Sequence, residues 1–89
     1  MDKVERLHAT IAGEEVDRVA VSAWQHQPVD DQSAETFAAA TLMFQRDFDF
    51  DFVKVTPASS YCLRDWGVND SWCGHPHGTR EYGDPLIQR

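Results

Sequence analysis

The feature that most constrains the fold is a strand–helix–strand pattern in the middle of the chain. Residues 19–24 form an uncharged run rich in β-branched side chains, typical of a strand buried on both faces. Ser33 is a favourable N-cap for a helix over residues 34–48, and Pro57 ends a second strand predicted over residues 52–56. This order predicts two parallel strands joined by a right-handed helical crossover.

Two helices are predicted, each with an apolar face. The first covers residues 2–12, where Asp2 can cap the helix and Glu5 stands where a capping box requires it. Gly13 suits the left-handed conformation that commonly ends a helix. The apolar face of this helix is predicted to contain Val4, Leu7, His8 and Ile11. The buried stripe of the crossover helix is predicted to contain Phe37, Ala40, Thr41, Phe44 and Phe48.

The pattern becomes irregular after Pro57. Residues 58–66 are predicted to hold a short helical turn, residues 67–78 are rich in turn formers, and residues 79–87 favour one more extended segment. The chain therefore reads as α/β, with one βαβ unit whose sheet edges are left without partners. We expect residues 1–89 to be the beginning of a larger α/β protein, with no complete domain within the chain.

Charge and composition exclude several classes of function. The chain has 8 basic and 15 acidic residues, a net charge of −7, which disfavours binding to nucleic acid or to anionic lipid. No apolar run approaches the roughly 18 residues that cross a bilayer, and the N-terminus lacks the apolar centre of a signal peptide. With only two cysteines, a disulfide scaffold is not expected, and a cytoplasmic location is the default.

The strongest functional indication is the position of the two strand ends. Ligands of parallel α/β proteins bind at the carboxyl ends of strands, here residues 24–26 and 56–58. His26 follows the first strand, where an imidazole could act as acid or base or bind an anion. An exposed loop histidine is the alternative. The predicted substrate-binding residues are Gln25, Thr56, Ser59 and Tyr61.

Two charged features near the second strand could carry chemistry, a group of three aspartates and one lysine. Asp47, Asp49 and Asp51 form a D-x-D-x-D pattern, but an EF-hand loop would need glycine and glutamate at its sixth and twelfth positions. A solvated turn is therefore preferred. Lys54 lies inside the apolar strand and could line a barrel interior, act there with a lowered pKa, or extend its ammonium to water at an edge.

A second candidate cluster has ligand types that soft metals prefer. Its spacing is C-x10-C-x-H-x-H, in which only the second half is compact, whereas structural zinc sites usually show two close pairs. A loop with a stray thiol is preferred to a zinc knuckle, and no metal ligand is predicted. The residues concerned are Cys62, Cys73, His75 and His77.

Three strings carry a resemblance to a known family. They are GEEVDRVAVSAW, FQRDFDFDFVKVTPASSY and DWG. Together they resemble the N-terminal portion of the uroporphyrinogen decarboxylase superfamily, over residues 3–85 or so. The resemblance implies a (β/α)8 TIM barrel of several hundred residues, of which this chain is the first part. The superfamily includes uroporphyrinogen decarboxylases and corrinoid-dependent methyltransferases that act on thiols.

The sequence departs from the decarboxylases at two positions. Those enzymes carry an R-Q-A-G-R-Y-like stretch after the first strand, whose arginines bind substrate carboxylates, but residues 25–28 are QHQP. Their aspartate at the next strand end corresponds to Ala58 here. Each lost charge-assisted hydrogen bond is worth about 1.5–3 kcal/mol. A divergent or corrinoid-methyltransferase-like branch is therefore favoured. The alternative is a genuine decarboxylase of tetrapyrrole biosynthesis with an altered site, in which Arg64 and Arg80 replace the missing arginine.

The resemblance predicts the function of the parent enzyme. We expect methyl transfer or decarboxylation of a tetrapyrrole-related or small substrate, with His26 and its neighbours positioning that substrate. No cofactor is expected in this chain. In a methyltransferase-like parent, zinc would be bound by the C-terminal half, and a corrinoid protein would be a partner. The isolated chain is not expected to be catalytic. A small non-catalytic or metal-binding module is the remaining alternative.

Overall fold

The computed structural model describes residues 1–84. The described elements are helix α1 (Lys3–Ala12), a 3-10 turn (Asp30–Gln32), helix α2 (Ala34–Phe48), a second 3-10 turn (Arg64–Trp66), and strands β1 (Asp70–Trp72) and β2 (Arg80–Tyr82). The chain divides into two compact units. The first unit contains residues 1–24 and 41–55, and the second contains residues 25–40 and the described residues from 56 to 84.

Helix α1 begins and ends as the sequence predicts. The Asp2 carboxylate accepts a hydrogen bond from the Glu5 N–H at 2.8 Å, and the Glu5 carboxylate accepts one from the Asp2 N–H at 3.3 Å. This reciprocal pair confirms the capping box, which satisfies backbone donors that the first turn leaves without helical partners. Gly13 ends the helix in the left-handed conformation with φ 72°, which also confirms the prediction.

The predicted apolar face of α1 is wrong. Val4 and Ile11 are 64% and 76% exposed, whereas Arg6 and Ala9 are the buried residues of the helix. The helix turns Arg6 inward because two aspartates outside the helix bind its guanidinium, Asp17 at 2.8 Å and Asp51 at 2.7 Å. Ion pairing, rather than the 3.6-residue apolar period, therefore sets the orientation of α1.

Helix α2 has the predicted bounds, but the side chains of its predicted apolar stripe are less buried than predicted. The Ser33 hydroxyl accepts a hydrogen bond from the Thr36 N–H at 3.2 Å, so it acts as the N-cap. No residue of α2 is fully buried, and Phe48 of the predicted stripe is exposed. Phe48 instead stacks on Phe50, with ring centroids 5.6 Å apart, and both rings contact Phe44. The other four predicted stripe residues, Phe37, Ala40, Thr41 and Phe44, are half-buried.

The two predicted parallel strands come together without forming a regular ladder. Neither residues 19–24 nor residues 52–56 are assigned as strand. The Asp51 N–H donates to the Val21 carbonyl at 2.9 Å, but the Val21 N–H donates to the Asp51 carboxylate at 2.7 Å. The Asp51 carboxylate thus accepts the Val21 N–H hydrogen bond that a backbone carbonyl of a neighbouring strand would accept in a regular sheet. The βαβ sheet and the barrel it would begin remain predictions.

The second unit contains a hairpin that the sequence analysis missed. Strands β1 and β2 pair antiparallel, with Ser71 opposite Glu81. β2 falls in the extended segment predicted over residues 79–87, of which residues 85–87 lie outside the described part. The short helical turn predicted over residues 58–66 is confirmed, because it contains the 3-10 turn Arg64–Trp66.

Burial in the described chain is dominated by polar side chains. Among residues 1–84, Ala9 and Ala58 are the buried apolar residues. The buried polar and charged residues are Arg6, Asp31, Asp51, Ser60 and Arg80. Hydrogen-bonded ion pairs therefore form the interior of each unit. None of the helices within residues 1–84 is long and apolar enough to cross a membrane.

Removing the N-cap of α1 should destabilise the helix. We expect Asp2→Ala to lower the free energy of unfolding by about 1 kcal/mol, since the Glu5 N–H loses the carboxylate that accepts its hydrogen bond. Far-ultraviolet circular dichroism during urea unfolding measures this loss. Glu15→Ala removes the same charge from an exposed residue beyond the helix and should leave stability nearly unchanged. Equal losses in the two variants would contradict a capping role.

Candidate functional site

All five residues that the sequence analysis predicts for the site belong to the second unit. His26 and Thr56 are half-buried, whereas Gln25, Ser59 and Tyr61 are exposed. The residues that follow the two predicted strands are thus part of one compact unit, although about 30 positions separate them in sequence. Two of them, His26 and Ser59, make side-chain contacts within this unit, His26 with Gly78 and Ser59 with Tyr82.

His26 packs against a glycine that its side chain requires. A Cβ on Gly78 would lie 2.7 Å from the His26 Cβ, closer than side chains tolerate, and 3.1 Å from its Cγ. Gly78 also has φ 82°, a conformation that disfavours other residues. The His26 Nδ1 is buried and has no hydrogen-bond partner among the described residues. A buried nitrogen without a partner is normally satisfied by a hydrogen bond to a water molecule or to a ligand.

Ser59 is connected to strand β2 through a pair of hydroxyl groups. The Ser59 Oγ and the Tyr82 hydroxyl oxygen are 2.7 Å apart. Tyr82 was not among the predicted site residues. The extended segment predicted over residues 79–87 placed it on a strand, but nothing in the sequence indicated that this strand reaches Ser59.

A buried charge cluster forms the interior of the second unit. Arg80 Nε donates to the Asp70 carboxylate, which also accepts from the Ser60 hydroxyl at 2.6 Å. Arg80 Nη1 lies 3.8 Å from Asp31 Oδ1, and Arg64 Nε lies 3.9 Å from Asp70 Oδ1. The Ser60 hydrogen bond, followed by the one from Arg80, holds the pKa of Asp70 below its usual range despite burial. Arg64 and Arg80 therefore each lie beside a carboxylate of the protein itself.

A second charge cluster, in the first unit, corrects the prediction for Asp51. Its side chain is 2% exposed, so the predicted solvated turn is wrong at this residue. The carboxylate accepts from Arg18 at 2.7 and 2.9 Å, from the Val21 N–H at 2.7 Å and from Arg6 at 2.7 Å. The Arg18 hydrogen bonds and then the Val21 N–H hold the pKa of Asp51 far below its usual range. Arg6 does the same to the pKa of Asp17.

Lys54 is not a buried lysine. The residue is exposed, and its ammonium lies 4.0 Å from the centroid of the Trp24 ring. This cation–π contact joins the two predicted strands within the first unit. Of the alternatives that the sequence left open, the exposure of the residue disfavours a lysine buried in an interior.

The cysteine and histidine cluster is spread over the surface of the second unit. Cys62 and Cys73 are exposed free thiols, and Cys73 donates to the Glu81 carboxylate at 3.4 Å. The His77 N–H donates to His75 Nδ1 at 3.2 Å. Within residues 1–84, no three histidine, cysteine or acidic side chains are grouped as they would be around a metal ion.

Comparison with known proteins gives no relative for this chain. No family model, curated protein or solved structure matches it. The relation to the uroporphyrinogen decarboxylase superfamily therefore stays a prediction from the sequence, and the site must be argued from its own geometry.

The Asp51 cluster should make stability depend on pH. Because the pKa of Asp51 is lower in the folded chain than the roughly 3.9 of an unfolded aspartate, its ionised form favours folding. That contribution is complete above about pH 5 and is lost as the pH falls through about 4 and below. We expect Asp51→Asn to unfold at lower urea than the wild type at pH 7, with the difference shrinking toward pH 3.

The matched control for this measurement is Asp47→Asn, which changes an exposed aspartate of the same segment. It should leave the unfolding midpoint nearly unchanged at every pH. A loss of stability in Asp51→Asn that does not vary between pH 3 and pH 7 would contradict the role assigned to the carboxylate.

The contact between His26 and Gly78 should be sensitive to one methyl group. Gly74→Ala and Gly78→Ala both place alanine at positive φ, which costs roughly 1–2 kcal/mol. Gly74 has nothing within 4 Å of a new Cβ, so Gly78→Ala should destabilise the chain further and shift the His26 imidazole resonances. Urea unfolding and histidine NMR measure these effects. Equal stability losses with unchanged His26 resonances would contradict the packing described.

Proposed function

We propose that this chain is the N-terminal part of a cytoplasmic enzyme related to the uroporphyrinogen decarboxylase superfamily. In this proposal its second unit positions the substrate, and residues elsewhere in the enzyme carry the main chemistry. The sequence resemblance supports the family. The single observation that carries the role of this chain is the buried His26 Nδ1, which has no described partner and lies in the same compact unit as the other predicted site residues.

The imidazole of His26 has the properties that substrate positioning needs. The Gly78 backbone approaches the side chain so closely that a Cβ there would clash with it. The imidazole Nδ1 can accept a hydrogen bond in one tautomer and donate one in the other. A hydrogen bond to a substrate would satisfy a nitrogen that the folded chain leaves unsatisfied, so binding recovers the cost of its burial.

The arrangement of the arginines favours a divergent member over a genuine uroporphyrinogen decarboxylase. A substrate with eight carboxylates needs several guanidinium groups that are free to bind them. Arg80 is held by Asp70 and faces Asp31, and Arg64 also faces Asp70. A substrate carboxylate at either arginine would meet an ionised aspartate. We therefore propose methyl transfer, or decarboxylation of a substrate with fewer carboxylates.

Two further components belong to the methyltransferase form of this proposal. The methyl donor would be delivered by a corrinoid protein, which becomes a partner of the enzyme. Zinc, which activates thiols in such members of the superfamily, would be held by residues outside this chain.

His26→Ala in the natural gene product that contains this chain tests the proposal. The assays are methyl transfer from methylcobalamin to a thiol and decarboxylation of uroporphyrinogen, run in parallel. We expect kcat/KM of the active reaction to fall about tenfold, as when one buried hydrogen bond to substrate is lost. His8→Ala changes an exposed histidine of α1 and should have wild-type kinetics. Unchanged turnover and affinity in His26→Ala would refute the assignment.

A further inference from the structure

Two contacts join the turn of residues 26–31, which follows the first predicted strand, to the segment that enters β2. His26, at the beginning of this turn, packs against Gly78, where a Cβ would clash with it. Asp31, at the end of the turn, lies beside Arg80, with Asp31 Oδ1 3.8 Å from Arg80 Nη1. All four residues belong to the second unit, and Gly78 precedes Arg80 by two positions. The same two segments are therefore linked once by packing and once by charge.

The charged contact lies in the interior of the unit. The Asp31 and Arg80 side chains are each 2% exposed. Asp31 Oδ1 and Arg80 Nη1 are both buried, and neither has a hydrogen-bond partner among the described residues. Opposite charges at this distance attract more strongly in the interior than at the surface, because water and salt screen them less. Moving the turn would therefore separate a buried carboxylate from the guanidinium that compensates its charge.

Arg80 is the fixed member of this pair. Its Nε donates to the Asp70 carboxylate, which also accepts a hydrogen bond from the Ser60 hydroxyl at 2.6 Å. Asp70 and Arg80 lie on the paired strands β1 and β2. Because the guanidinium is held from the side of the hairpin, its interaction with Asp31 orients the turn rather than the arginine.

The turn is short and internally hydrogen-bonded, so its two ends are mechanically connected. The Asp31 N–H donates to the Gln27 carbonyl at 2.7 Å, and Gln27 follows His26 directly. Pro28 has a fixed φ and restricts the backbone inside the turn. The Gln32 side-chain amide donates to the Pro28 carbonyl at 3.3 Å. A displacement of Asp31 at one end should therefore displace His26 at the other.

We propose that Asp31 is a positioning residue, which keeps His26 in place against Gly78 through its interaction with Arg80. Asp31 acts through the imidazole and does not contact the substrate. The inference deepens the proposed function and rests on it, because the position of His26 affects turnover only if His26 binds the substrate. It also predicts an effect on His26 that exists without any substrate.

The effect on His26 is measured by histidine NMR and urea unfolding of the purified 89-residue chain. Asp31→Asn removes the charge at nearly constant size, and Ser60→Ala removes a hydrogen bond on the other side of Arg80. We expect both variants to lower the urea midpoint, but only Asp31→Asn to shift the His26 imidazole resonances of the folded chain. Asp30→Asn changes a half-buried aspartate of the same turn and should shift neither quantity.

A charge-conserving variant keeps the test decisive if Asp31→Asn does not fold. Asp31→Glu retains a carboxylate opposite Arg80, so its His26 resonances should stay close to those of the wild type. Displaced His26 resonances in Asp31→Glu, with Asp31→Asn unfolded, would count against the proposal.

The effect on turnover is measured in the natural gene product, with the assays described for His26→Ala. Asp31→Asn should lower kcat/KM by less than the roughly tenfold loss expected for His26→Ala. In the double variant the loss should equal that of His26→Ala alone, because no imidazole remains to be positioned. Ser60→Ala should keep wild-type kcat/KM while it is folded.

Three results would overturn the proposal. They are unchanged His26 resonances in folded Asp31→Asn, an equal shift of those resonances in Ser60→Ala, and losses of the two single variants that multiply in the double variant. Wild-type kinetics in His26→Ala, together with shifted His26 resonances in Asp31→Asn, would contradict the proposed function alone. A failure of the proposed function and a failure of this inference therefore give different results.

Discussion

The first unit depends on the carboxylate of Asp51. Its two oxygens bind guanidinium groups from α1 and from the following segment, together with the Val21 N–H. One side chain therefore holds together three parts of the chain that share no apolar core, since Ala9 is the buried apolar residue among the described residues of this unit. A buried carboxylate is stable only when several donors surround it, and each partner is thus required by the others.

The second unit uses the same principle, with a functional consequence. Arg80 is held between Asp70 and Asp31, and Ser60 supports Asp70. The guanidinium that could have bound an anionic substrate is neutralised inside the protein. On the same strand, the neighbouring carboxylate of Glu81 is exposed. Internal ion pairing therefore bears on which ligands the surface can attract, because it decides which charges remain uncompensated.

The sequence predicts local structure here better than it predicts packing. The caps at Asp2 and Gly13 act within a few residues, so both ends of α1 could be read directly. The buried face of α1 could not be predicted from the local sequence, because the aspartates that bind Arg6 lie 11 and 45 positions away. The two strand predictions identified segments that meet. They did not predict that the Asp51 carboxylate would accept a hydrogen bond from the Val21 N–H. Strand topology suggested His26, whereas its glycine neighbour Gly78 required a long-range contact that no local pattern encodes.

The valines of the predicted strands remain on the surface, at positions 19, 21, 53 and 55. Exposed β-branched segments of this kind attract one another, and a net charge of −7 opposes their approach. That opposition weakens as the solution nears the isoelectric point of about 4.8 or as salt screens the charge. Acid therefore removes the mutual repulsion near the isoelectric point, while the carboxylates in the internal ion pairs are still ionised because their pKa values are lowered. The folded chain is thus expected to associate at a pH above that at which its internal ion pairs are lost.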